Sequence, residues 1–248
     1  MTRPFLRWSD TNDYQAPAGR YETLLSPTVG GGRATLRLAP NVRRIVLGDP
    51  RPGVLETYRQ VVRRPDEVAD ALSELCWIGQ SLSPRARRDH YADVRMELNR
   101  LIGLDEPTDA DRLALASHFI YVDRSRRGGV PEFKGGLVAS RCSTERTDIE
   151  CRSVIKDCAR VLDGAEFSDL GGIRDRLGPG ALLVLDLRRP CVPEGYGGLM
   201  REALVSGAGA LVFADAGDVP ADASDGFESH IVGNHDGAHV EVLTLAGE

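Results

Sequence analysis

The sequence lacks any apolar run approaching the roughly 18 residues of a membrane-spanning helix, so no span is expected. The opening residues, MTRPFLRWSD, carry no apolar leader segment, and a cytoplasmic location is the expectation. Cysteine is sparse and odd in number. The five are Cys76, Cys142, Cys151, Cys158 and Cys191. An odd count without a leader argues for reduced thiols, and without a CxxC pair a structural zinc site is not expected. Positive charge is not in excess either. The net charge of −6 speaks against indiscriminate nucleic-acid binding, though not against a local basic face. No internal repeat is present.

What remains is an ordinary globular composition, 42% apolar and 27% charged over 248 residues. Such a chain buries a sizeable core unaided, as one large domain or a domain carrying an insertion. Strand and helix alternate at both ends of the chain. YETLLSPTVGGGRATLRLA reads as strand, glycine turn and helix, and VRRIVLGD as a second strand. The middle is helical. PGVLETYRQVVRRPDEVADALSELCWIG has apolar residues at helical spacing, broken at Pro65. DHYADVRMELNRLIG reads as a helix stopped by Gly103, and DADRLALASHFIYVDRS as a buried one. Between 124 and 148 Gly, Ser, Arg and Thr dominate, which predicts a loop or hairpin. Regularity returns with DIECRSVIKDCARVLDGAEFSDL, a helix and short strand. GIRDRLGPGALLVLD and GYGGLMREALVSGAGALVFADAGD repeat helix, turn and strand. SHIVGNHDGAHVEVLTLAG predicts an antiparallel pair. Its histidines His230, His235 and His239 read as surface residues around a turn rather than metal ligands. The fold expected is α/β, a Rossmann-like doubly wound sheet with an inserted helical subdomain. Residues 1–54 and 149–248 form the α/β domain, and 55–148 the insertion.

Set in order, several segments resemble the DNA adenine methylase (Dam) family, the α-type N6-adenine methyltransferases. FLRW, ending at Trp8, resembles that family's FLKWAGGK, and SPTVGGG its EPFVGGG loop. VLGDPRPGVLETYRQVV is similar to LNDINPDLINFYKVV, YADVRMELN to YYEIRDEFN, and SHFIYVDRSRRGGV to FIYLNRTCFNGLY. AEFSDL resembles a short strand ending in Asp-Phe. LLVLDLRRP stands where FVYLDPPY belongs, and VEVLTLAG resembles the closing strand. The resemblance implies a methyltransferase sheet with an inserted DNA-recognition subdomain, S-adenosylmethionine as cofactor and double-stranded DNA as partner, with no metal.

Carried over residue by residue, the resemblance places Trp8, Gly30, Gly31, Gly32, Asp49 and Asp169 at the cofactor. The residues have their own physical readings. Three glycines after a strand let backbone approach a ligand, or make a tight turn without one. Asp49 at a strand end can accept ribose hydroxyls, or cap the helix that follows. Asp169 can reach an adenine amine, or cap the helix around Ile173. The resemblance puts DNA against Arg85, Arg87 and Arg88 in the insertion, and against Arg124, Arg126, Arg127 and Lys134 in the loop. A solvated polar surface is the competing reading for each.

The family's catalytic tetrad is here Asp186-Leu187-Arg188-Arg189. The resemblance implies that the aspartate and the next carbonyl accept the two N–H bonds of an adenine amine, allowing that nitrogen to attack a methyl group. Two prolines fix the carbonyl and an aromatic ring stacks on the extruded base. Asp186 keeps the first acceptor and Leu187 the carbonyl, without the prolines. Arg189 can stack through its guanidinium. Two arginines also offer Asp186 an ion pair, worth about 4 kcal/mol at 4 Å and an effective dielectric of 20. That rivals the roughly 3–4 kcal/mol of a positioned transition-state contact. Impaired or lost methyl transfer is therefore favoured over an active enzyme with a divergent loop. Chemistry on an anionic ligand held by the arginines is a reserve reading.

Overall fold

A computed structural model of the protein describes residues 20–126, 132–142, 151–186, 196–215, 227–235 and 238–245. It divides into two compact units, an α/β unit within 9–50 and 164–248 and a helical unit over 51–163. In the α/β unit, strands β1 (Thr23–Ser26), β2 (Arg44–Leu47), β5 (Glu166–Phe167), β6 (Ala181–Asp186), β7 (Gly209–Asp215), β8 (Phe227–His235) and β9 (Ala238–Leu245) form one sheet. Its order is β5-β2-β1-β6-β7-β9-β8. The first five strands of that order run parallel, and β9 is antiparallel to both neighbours. Numbered within the sheet this is 3-2-1-4-5-7-6, compatible with a doubly wound, Rossmann-like arrangement over the parallel strands.

Parallel strands covered on both faces are apolar throughout rather than alternating. Residues 181–185, ALLVL, are all buried, as are Leu24, Leu25, Val46 and Leu47. Helices α7 (Leu170–Arg174) and α8 (Tyr196–Ser206) supply Ile173, Leu199 and Ala203 to the same core. The antiparallel pair anticipated at the C-terminal end is β8 with β9.

The helical unit is the stretch of chain between β2 and β5. It contains α2 (Val54–Arg63), α3 (Pro65–Ser81), α4 (Pro84–Ile102), α5 (Asp109–Ser125) and α6 (Arg152–Val161). Pro65 separates α2 from α3 because it cannot donate to the preceding turn, and Arg64 before it leaves the helical region at φ −141°. Ser83 and Pro84 start α4 earlier than the apolar pattern predicts, so Arg85, Arg87 and Arg88 lie on its first turns. Thr108 and Asp111 form a reciprocal capping box at the start of α5. The compact helical unit runs to Asp163, past the boundary expected at 148. Helix α6 belongs to the helical unit because Ile155 and Cys158 are buried in it and because Arg152 pairs with Asp70 and Lys156 with Asp66, both on α3.

The loop anticipated after α5 contains a hairpin, β3 (Phe133–Lys134) with β4 (Leu137–Val138). Its turn is Gly135-Gly136, at φ 56° and 80°, the doubly left-handed geometry that glycine adopts most cheaply. Burial pushes the Cys76 thiol up to about 12.

His118 on α5 is half-buried, with Nδ1 2.7 Å from the Ala114 carbonyl, and burial lowers its pKa below the usual value. The unfolded chain therefore takes up this proton first as pH falls. Stability from His118 is complete above the unfolded pKa of about 6.5 and is lost as pH drops through that value towards the lower folded one. Urea denaturation between about pH 7.5 and about 5.5 should show a falling midpoint, and His118→Gln should flatten that fall. An identical slope in both proteins would show that His118 contributes nothing to it.

Candidate cofactor-binding site

In a doubly wound sheet the crevice lies beyond the carboxyl ends of the strands, where the strand order reverses. Here that point is between β1 and β6. The register sets Leu25 opposite Leu183, so Ser26 is level with Val184 and Asp186 ends β6 two residues further on. At about 3.3 Å per residue that is roughly 6–7 Å beyond Ser26 along the strand direction.

The loop after β1 is tied to the loop after β2. Gly48 N–H donates to the Ser26 carbonyl at 2.7 Å, and Val29 N–H donates to the Gly48 carbonyl at 2.9 Å. Gly30 and Gly32 have φ of 51° and 74°, which explains glycine at both positions. Gly30, Gly31 and Gly32 are all buried. A buried N–H needs an acceptor. Gly30 finds it in Asp49, whose Oδ2 lies 2.8 Å away. Below the loop, Thr35 of α1 (Arg33–Leu38) donates its hydroxyl to Ser26 Oγ at 3.0 Å.

The third loop, after β5, closes on the other two. Ser168 N–H donates to the Leu47 carbonyl at 2.9 Å. A Cβ on Gly48 would stand 2.7 Å from Ile173 Cδ1, 3.0 Å from the Ser168 carbonyl oxygen and 3.3 Å from Pro27 Cα. Glycine is required at position 48 because three chain segments meet there. Asp169 caps α7, its Oδ1 accepting from Gly172 N–H at 2.8 Å. The capping alternative is realised for Asp169. The N-cap position of α2 is taken by Gly53.

The structure brings Gly30, Gly31, Gly32 and Asp49 together, with Asp169 following β5, the neighbour of β2. Asp186 is placed by its backbone at the end of β6. Trp8, Leu187, Arg189 and Arg127 lie outside the described residues, as does the side chain of Asp186.

The expected DNA-contacting residues divide. Arg85, Arg88 and Lys134 are exposed, and Arg124 is half-buried in the last turn of α5. Arg87 is turned inward. Its Nε donates to the Gly79 carbonyl at 3.0 Å and its Nη2 to the Leu82 carbonyl at 3.2 Å, satisfying acceptors at the end of α3. Arg126 corrects the expectation most clearly. It is 2% exposed and ion-paired with Asp123 at 2.9 Å, so its charge is answered inside the protein. Sequence reasoning also missed Tyr91, Arg95 and Asn99, polar residues at helical spacing that hold the hairpin. The spacing is visible in the sequence, but a polar helical stripe ordinarily faces water.

Among the described residues no group of three or more His, Cys, Asp or Glu side chains is placed to hold a metal ion, and no helix is long and apolar enough to cross a membrane. No family model matches the chain, and comparison with curated proteins finds no match.

Gly48→Ala should lower stability by about 1–3 kcal/mol, the usual cost of overpacking, because buried Ile173 and two backbone segments must all shift. Gly178 has open space around its Cβ position and serves as control. Gly178→Ala should stay within about 0.5 kcal/mol of the parent in urea unfolding. Equal effects at the two sites would refute the close meeting at Gly48.

Proposed function

We propose that this protein is a Dam-like scaffold that binds S-adenosylmethionine at the ends of β1 and β2, presents its helical unit to double-stranded DNA, and has impaired or lost methyl transfer. The observation that carries the reading is the hydrogen bond from Gly30 N–H to the Asp49 carboxylate, which joins the loops after β1 and β2 next to the switch point of the sheet. It holds a loop without Cβ atoms beside a carboxylate, the combination that suits a nucleoside's ribose and the chain approaching it. The strand order 3-2-1-4-5 and the closing antiparallel pair further support the methyltransferase-like arrangement implied by the sequence resemblance.

The residues present fit such a cofactor. Asp49 would accept ribose hydroxyls, Gly30, Gly31 and Gly32 would face it with bare backbone, and Asp169 would meet the adenine amine with the carboxylate oxygen that does not cap α7. S-adenosylmethionine, when bound, supplies the methyl group. Asp186 would accept one N–H of a target adenine amine. The sequence has neither proline of the family tetrad: Leu187 and Arg188 stand in their places, and Arg189 in that of the aromatic residue. On this reading the two guanidinium charges would compete for Asp186 and oppose positive charge developing at the amine.

On the DNA side, Arg85, Arg88 and Lys134 are the exposed cations among the described residues expected to contact DNA and would meet phosphates. The runner-up reading is an active enzyme with a divergent loop, favoured by the placement of Asp186 at the carboxyl end of the strand beside β1.

Calorimetric titration with S-adenosylmethionine should show saturable binding, weakened at least about tenfold in Asp49→Ala by loss of a charge-assisted contact. Labelled cofactor with adenine-containing duplex should give slow methyl transfer or none. Absence of binding heat in the parent protein would remove the cofactor reading, and efficient transfer would establish the active enzyme instead. Separately, the triple variant R85A/R88A/K134A should lower the slope of log affinity against log salt for duplex DNA by roughly 2.7, three contacts at about 0.9 each. An unchanged slope would exclude these side chains from the interface.

A further inference from the structure

Tyr91, Arg95 and Asn99 succeed one another at four-residue intervals on α4 and share one helix face. All three engage the main chain that leaves the hairpin. Asn99 Oδ1 accepts from Val138 N–H at 2.8 Å, while its Nδ2 donates to the Val138 carbonyl at 3.0 Å. A single amide side chain thus takes the place of a neighbouring strand. One turn earlier, Arg95 Nη1 donates to the Ser140 carbonyl at 2.9 Å, and the Tyr91 hydroxyl donates to the same oxygen at 3.2 Å.

The far side of the segment is closed as well. Glu132 N–H donates to Ser140 Oγ at 2.9 Å, and Ala139 N–H to the Glu132 carbonyl at 2.8 Å. Cys142 forms an isolated antiparallel bridge with Arg126. Arg126 is itself fixed by Asp123, one turn back on α5, both side chains being 1% exposed.

A hairpin with two residues in each strand does not hold its shape alone in water. This one is mounted on α4 by a ladder of side chains and at its base by a buried ion pair. We infer that Asp123, Arg126, Tyr91, Arg95 and Asn99 are positioning residues that hold residues 132–142 in one pose before a partner arrives. On this assignment, the guanidinium groups of Arg95 and Arg126 serve the protein's own carbonyls and carboxylate and meet no phosphate. The identity of the partner rests on the DNA reading above, but the ordering of the segment does not. Ordering in advance removes part of the entropy cost of binding, so loss of the mount weakens affinity without removing a charge contact.

The test uses the full chain and the double variant D123N/R126M, which removes both buried charges together and leaves neither unpaired. Hydrogen exchange should quicken at least about tenfold at the amides of residues 133–139 while α5 keeps its protection. Asn99→Leu should quicken exchange at the same amides, and it decides the question if the double variant does not fold. Unchanged protection of 133–139 in a folded variant overturns the proposal.

With duplex DNA, the double variant should bind about tenfold more weakly at an unchanged salt slope. A slope lowered by about 0.9 would make Arg126 a phosphate contact and overturn its assignment. If the parent protein binds no DNA, the DNA reading fails, and the exchange measurements still judge the positioning role.

Discussion

The hydrogen bond between the Asp49 carboxylate and the Gly30 amide is the constraint on which the end of the sheet depends. Gly30 sits buried in a left-handed conformation, and its N–H must find an acceptor within the protein or incur the full cost of desolvation. Asp49 supplies that acceptor from the next strand, and Gly48 beside it removes the Cβ that would keep the loops after β1 and β5 apart. Three loops from three adjacent strands are thereby locked at the carboxyl edge. The proposed cofactor site follows from that locking, because a ribose approaching Asp49 also meets the glycine loop that Asp49 holds.

The helical unit uses the same economy of polar groups differently. Arginine is abundant there, and much of it is internal hardware. Arg87 satisfies carbonyls at the end of α3, Arg95 holds Ser140, Arg126 neutralises Asp123, and Arg152 braces α6 on α3. Among the described residues these four arginines bond to the protein's own groups, in a chain whose net charge is −6.

Backbone punctuation was legible in the sequence. Pro65 splits α2 from α3, Gly103 stops α4, and the apolar run before Asp186 is a buried parallel strand. These features depend on the local preferences of one or two residues. Partnership was not legible. The charge of Arg126 shows in the sequence, but the burial of Asp123 beside it does not, and Arg87 gives no local sign that it turns back to α3. The hydrogen-bond partners of Asp49 and Asp169 had no local signature either: Asp169 caps α7, whereas Asp49 accepts from the Gly30 amide. The boundary at 163 depended on which helices α6 packs with, a tertiary fact with no local signature.

The most direct test is to follow the amide resonances of Gly30, Gly31 and Gly32 by NMR while adding S-adenosylhomocysteine, the demethylated product form of the cofactor. A site built around the Asp49-held loop predicts saturable shifts at these three amides, with the Gly135-Gly136 hairpin turn unmoved. No shift at the three glycines under saturating ligand would contradict the account.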